Sequence, residues 1–288
     1  LITVKLAPLG WSLEFDEGIK AVFKNAGTGC CLRIDETPDH EDGYSRLPDV
    51  AAYETMSSID VGENPFPTPI QEPTPLCHRK TQSTNLSTEN PWIIIGDSRA
   101  VYVLTDPSLS YPLTRAVLFF GDIVDCSPTD QFPCVLIAAA KTVNMNYAPA
   151  INQGFHRFNL WPTTTPYSYI ARNHNGSVGA EKIGVSGDHT FGNTYGYSFT
   201  NDLFPFPHGL DNDLLAAHVR VYTATAIRGL LPGIFSPLHE RPLSDMTLSA
   251  SMSDLPGRQI LALNISVTVS WGETWQGQAL FDLTGPWR

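Results

Sequence analysis

No window of twelve residues in this chain carries an apolar stripe at helical spacing, and this constrains the fold more than any other feature. With 23 Pro and 22 Gly spread along 288 residues, a long helix would be interrupted repeatedly. Short runs rich in β-branched and aromatic residues recur instead, bounded by Gly, Pro, Asn or Asp: IKAVFKN at 19–25, CCLRIDE at 30–36, VAAYETM at 50–56, WIII at 92–95 and AVYVL at 100–104. RAVLFFGDIV, FPCVLIAAA, HVRVYTATAI, RQILALNISVTVS and QALFDLT continue the series. In HVRVYTATAI, the polar or aromatic His218, Arg220, Tyr222 and Thr223 intermix with Val219, Val221 and Ala224 at close to period two. The nearest approach to a helix, DNDLLAAHVR, amounts to one or two turns. The expected class is mainly β: antiparallel β-sandwich or barrel-like modules with long irregular loops.

The organisation follows from where the strand runs stop. Residues 1–140 are expected to form a β domain, interrupted at 62–91 by an excursion with six Pro among polar residues, too many for a sheet interior. The opening LITVK reads as a strand already under way, with neither an initiator Met nor a basic and apolar leader, so a further segment is expected upstream. Residues 141–213 are dense in Gly, Asn and aromatics, a composition suited to an interaction surface. Trp161, Phe155, Tyr167, Tyr169, Tyr195 and Tyr197 are its candidate interface residues, facing another chain or a host-surface glycan. Residues 214–288 are expected to complete the same β domain.

Charge and cysteine usage narrow the chemistry. A formal net charge of -11, with only 18 Lys and Arg, argues against a surface that tracks phosphates, so no nucleic-acid partner is expected. The longest apolar runs fall far short of a membrane-spanning helix, and no membrane partner is expected. The five Cys, at 30, 31, 77, 126 and 134, show neither a disulfide framework nor a zinc-site spacing. Cys30 and Cys31 point to opposite faces if the chain is extended there, and Cys126 and Cys134 are the pair that a hairpin would bring together. DETPDHEDG gathers Asp35, Glu36, Asp39, His40, Glu41 and Asp42, oxygen ligands in kind, but at a spacing that fits a solvated acidic turn. No cofactor or metal is expected.

One triplet invites a catalytic reading. Gly96-Asp97-Ser98 ends the apolar run PWIII, which is how a GDS-type ester hydrolase presents its nucleophile. That arrangement needs a helix after the Ser, whose N-terminus supports the oxyanion, and a His base held by an Asp. After Ser98 the chain reads RAVYVLTDP, another strand, and none of the eight His has an Asp three positions before it. Gly, Asp and Ser are also what a tight turn takes. The expectation is a hairpin turn and no catalytic residue. GVSGD at 184–188 falls one residue short of a nucleophile elbow.

Taken in order, ITVKLAPLGW, GTGCCLRIDE, VAAYETMSSIDVGENPFPT, PWIIIGDSRAVYVL, LFFGDIV with QFPCVLIAAA, RGLLPGIFSPLH, GRQILALNISV and the ending ALFDLTGPWR resemble a family of uncharacterised virion-associated proteins of tailed bacteriophages and prophages. The resemblance implies a structural virion protein, a tail or baseplate component touching neighbouring virion proteins, homo-oligomeric and assembled in the bacterial host cytoplasm. A head-surface decoration protein is the alternative within that class, and a GDS-type ester hydrolase acting on the host envelope the alternative outside it. The family offers no catalytic residues to carry over.

Overall fold

The computed structural model describes residues 6–36, 48–66, 76–77, 92–105, 116–124, 126, 128–140, 168–170, 182–185, 213–222, 227–237, 239, 243–249, 252, 256–268, 274–285 and 287. Within them the fold is mainly β and wholly antiparallel, built of sandwiched layers not closed into a barrel.

The first sheet contains β1 (Ser12–Asp16), β2 (Lys20–Lys24), β3 (Cys31–Asp35), β4 (Asp49–Ser58), β5 (Val61–Phe66), β6 (Leu76–Cys77), β7 (Trp92–Gly96), β8 (Ala100–Thr105), β9 (Ala116–Asp122), β10 (Cys134–Ala140) and β11 (Ser168–Ile170). Its order is β1-β2-β3-β4-β6-β10-β9-β8-β7, with β5 paired to β4 and β11 to β10. The second sheet contains β12 (Lys182–Val185), β13 (Ala216–Tyr222), β14 (Ile227–Pro237), β15 (Thr247–Ser249), β16 (Ile260–Thr268) and β17 (Thr274–Asp282), in the order β12-β13-β14-β17-β16-β15.

The first sheet doubles back on itself at the two-residue β6, and β8, β9 and β10 become a middle layer buried on both faces. Alternation along these strands divides their side chains between two cores. Val101, Val103, Leu118, Phe120, Cys134 and Leu136 meet Phe23, Cys30, Leu32, Ile34, Val50 and Ala52 of the β2–β4 half. Tyr102, Leu104, Val117, Phe119, Val135 and Ile137 meet Val219, Val221, Leu231, Ile234, Leu263 and Phe281 of the second sheet. Strands covered on both faces have no polar side to show, which is why VYVL, VLFF and CVLI read as unbroken apolar runs.

The sandwich is the expected fold class, with several local differences. Ala7–Leu9 is a turn of 3-10 helix, so the strand expected at the start of the chain does not reach these residues, and residues 1–5 lie outside the described set. Among the described residues of DNDLLAAHVR, 213–220, there is no helical turn: β13 begins at Ala216, in ladder with β14. Part of the Pro-rich excursion pairs into the sheet. β5 runs beside β4 with Pro65 opposite Tyr53, and β6 bridges β4 and β10. Pro65 is tolerated because β5 lies off the main strand path, where a missing N–H breaks no central ladder. Its glycines and prolines hid β14, IRGLLPGIFSP, from pattern reading.

The seam between middle layer and second sheet is aromatic and polar at once. The Tyr102 hydroxyl donates to Pro232 O at 2.8 Å, and its ring lies 4.9 Å from Phe119, 5.3 Å from Phe281 and 5.8 Å from Trp287. Trp287 covers Gly233, where a Cβ would sit 2.1 Å from the indole and where φ is +67°. Both the contact and the conformation require glycine. Val124 and Leu230 exchange main-chain hydrogen bonds of 2.9 and 2.8 Å, linking the segment after β9 directly to β14.

Candidate functional site

The Gly96-Asp97-Ser98 triplet forms the turn between β7 and β8. Asp97 N donates to Ala100 O at 2.9 Å, and the Asp97 carboxylate accepts from Arg99 N at 2.8 Å and Ala100 N at 2.9 Å. The side chain thus takes the place of the Asp97 carbonyl inside the turn. That carbonyl is left to accept the Trp11 indole N–H at 2.7 Å, which anchors the N-terminal 3-10 turn. The next two carbonyls are used in the same way. Ser98 O accepts Ala26 N at 2.9 Å, and Arg99 O accepts Asp122 N at 3.0 Å and Asn25 Nδ2 at 3.3 Å. Three successive carbonyls therefore hold three separate segments.

The Arg99 side chain extends this joint to Asp122, the last residue of β9. Its Nε and a terminal nitrogen lie 3.0 and 2.8 Å from Asp122 Oδ2. Asp122 Oδ1 accepts from Asn25 Nδ2 at 3.0 Å and Thr28 Oγ1 at 2.9 Å. The carboxylate is fully buried and spreads its charge over these partners, while the Arg99 side chain is 45% exposed. Gly27 passes directly over the pair: a Cβ there would lie 2.1 Å from Asp122 Oδ2 and 2.4 Å from Arg99 Nε. Asn25 Oδ1 accepts Gly29 N at 2.9 Å, which fixes the turn carrying Gly27 and Thr28.

Two thiols adjoin the cluster. Asn25 Nδ2 lies 3.7 Å from Cys134 Sγ, and Cys30 belongs to the same apolar cluster as Cys134. Burial first, then the neighbouring Cys30 thiol, then the charge of Asp122 push the Cys134 thiol well above its ordinary pKa, so it stays protonated. Cys31 is raised chiefly by burial and packs with Val22 and Ile59 on the opposite face of β3. Cys30 and Cys31 do face opposite cores, both buried. Cys30, Cys31, Cys126 and Cys134 are free thiols.

Ser98 is followed by strand β8, so no helix N-terminus stands behind its hydroxyl. Both described histidines sit with the second sheet. His239 Nε2 accepts Leu215 N at 2.9 Å, and His218 in β13 packs 4.9 Å from Phe235. Of the interface candidates, Tyr169 lies in β11, opposite Ala138 of β10. Trp161, Phe155, Tyr167, Tyr195 and Tyr197 lie outside the described residues, as do Asp39, His40, Glu41 and Asp42. Asp35 is held by Arg33 at 2.6 Å. Among the described residues no group of three or more His, Cys, Asp or Glu side chains is placed to hold a metal ion.

Pattern reading missed Asn25, Thr28, Arg99 and Asp122, which meet across more than seventy positions of chain. The available signal was an acidic residue closing each of two apolar runs, in WIIIGD and LFFGD. A second polar joint was missed in the same way. Arg228 Nε lies 2.6 Å from Asp130 Oδ2, with both side chains fully buried, and a terminal nitrogen of Arg228 also donates to Phe132 O.

Compared with known protein families and with curated proteins, the chain finds no match.

Proposed function

We propose that this chain is a structural virion protein of a tailed bacteriophage, a tail or baseplate component that repeats in the particle and contacts neighbouring virion proteins. The observation that carries the reading is at the sheet margins. β1 and β15, each terminal in its sheet among the described residues, present Leu13 at 39% and Leu248 at 60% exposure. Ile19, just before β2, and Val61, the first residue of β5, stand out at 54% and 56%. Terminal strands with exposed large apolar residues invite pairing with another chain. Two further facts support it. The polar residues around Ser98 serve as joints between segments, and the sequence blocks that resemble the virion family supply Tyr102, Gly233, Phe281 and Trp287 of the aromatic seam. The aromatic stretch from 141 to 213, which contains Trp161, is the proposed contact surface.

Gold-labelled antibody against this chain on intact particles, viewed by electron microscopy, tests the reading. Label on the tail or baseplate is the expected result. Label on the head surface replaces it with the decoration role, and particles that carry no label overturn both.

A further inference from the structure

We propose that β15 is a self-pairing edge: a second copy of this chain docks antiparallel against it across a two-fold axis, joining the two second sheets through main-chain hydrogen bonds. The inference rests on the reading above in one respect, that the chain repeats in its assembly, and it names the contact. β15 is terminal in its sheet, and among the described residues no strand lies beyond it. Its register sets Thr247 opposite Ala262, Leu248 opposite Leu261 and Ser249 opposite Ile260. Asn264 N donates to Asp245 Oδ1 at 2.8 Å, so the main chain of Asn264 faces the β15 side of β16. Peptide groups alternate sides along a strand, so Ala262 and Ile260 face β15 as well, and Leu261 faces β17. Leu248, opposite Leu261, therefore turns its N–H and C=O away from β16, toward the open edge.

Charge fits that edge to a copy of itself. An isologous contact sets the same patch on both sides, so the strand must tolerate its own charge. β15 is uncharged. About a two-fold at Leu248, Leu248 meets the partner's Leu248, the two exchanging N–H and C=O bonds, and Thr247 meets the partner's Ser249, both favourable cross-strand pairs. β1, the terminal strand of the first sheet, is defended against such pairing. Glu14 and Asp16 lie within it, and its register with β2 slips between Leu13 and Phe15. Charges and bulges are how sheets blunt an edge, and the register of β15 has no such slip. β15 is also held ready. Thr247 N donates to Ser244 O at 3.2 Å, closing a turn in which Met246 takes φ +60°, a strained conformation for a residue other than glycine. That turn leaves Met246 and Leu248 both exposed beside the edge.

The test uses the purified full chain. Sedimentation velocity is expected to find a dimer whose dissociation constant rises about tenfold or more in Leu248→Lys, which sets like charges face to face, and stays unchanged in Leu13→Lys. In Leu248→Cys, mild oxidation is expected to link two chains at that position, because the Cα atoms of a directly opposed, hydrogen-bonded pair stand about 5.5 Å apart, within disulfide reach. The same treatment of Leu13→Cys is expected to link none. A parent that is monomeric or trimeric, a dimer that Leu248→Lys leaves intact, or Leu248→Cys chains that do not link overturns the proposal. If circular dichroism shows Leu248→Lys unfolded, Leu248→Cys decides the matter. A monomeric chain that still labels the tail overturns this pairing alone, and a linked dimer absent from particles overturns the function alone.

Discussion

The two faces of the middle layer are sealed by different means. Toward the second sheet, large rings from Tyr102, Phe119 and Phe281 fill the seam, and the buried ionic contact joins two fully buried side chains, Asp130 and Arg228. Toward the β2–β4 half the packed side chains are joined by a distributed polar joint, in which Asp122 is shared among Arg99, Asn25 and Thr28. A fully buried ion pair leaves a poorly compensated charge when either member is lost. A shared carboxylate retains partners, and a half-exposed guanidinium can be replaced by water. The middle layer is thus expected to meet one seam that tolerates loss and one that does not.

The largest expected effect is at the intolerant seam. Asp130→Ala removes the carboxylate that faces the fully buried Arg228 guanidinium and is expected to cost about 3–5 kcal/mol, read as a fall in denaturation midpoint at unchanged slope. A loss below 1 kcal/mol would show that water reaches Arg228 and that the two seams do not differ in kind. Arg99→Ala comes next, at about 1–2 kcal/mol, because Asp122 keeps Asn25 and Thr28 and because the exposed Arg99 head is partly screened by solvent. A loss as large as that of Asp130→Ala would abolish the distinction.

The smallest expected effect lies on the surface. Hydrogen bonds from Lys20 and then Arg33 hold the Asp60 carboxyl below its ordinary pKa. A depressed folded value stabilises above the unfolded value and is lost as pH falls through the folded one, so any contribution fades below about pH 4. Asp60 is exposed, so Asp60→Asn should change thermal stability little at neutral pH, and that little should vanish in high salt. A salt-independent loss would place Asp60 in a more sheltered setting than its exposure indicates.

Legibility in the sequence followed the same division. The strands of the middle layer were readable because burial on both faces leaves only apolar residues, as in FPCVLIAAA. β13 was readable because its polar residues alternate with Val219 and Val221. β14 was not, since Gly229, Pro232 and Gly233 look like breakers until Trp287 and Tyr102 show what they accommodate. The turn at Asp97 was legible because its chemistry is local. The joint around Asp122 was not, because Asn25, Arg99 and Asp122 converge only after the sheet doubles back, and nothing periodic marks such meetings. Cys126 and Cys134, the pair a hairpin would bring together, are both free thiols, because the β9–β10 ladder sets Cys134 opposite Asp122 and the Cys126 thiol turns to Ile123 O.

The central claim is that the turn from Gly96 to Arg99 is a joint whose Asp97, Ser98 and Arg99 carbonyls hold three segments, with the Asp97 carboxylate closing the turn, and we propose that the Ser98 hydroxyl is structural. The most direct test compares Ser98→Ala with Asp97→Ala in thermal unfolding, alongside hydrolysis of a simple aryl ester. The account predicts that Ser98→Ala melts with the parent and leaves any hydrolysis unchanged, while Asp97→Ala, losing the two turn hydrogen bonds to Arg99 N and Ala100 N, is destabilised by about 1–2 kcal/mol. Ester hydrolysis by the parent that disappears in Ser98→Ala at unchanged melting temperature would contradict it.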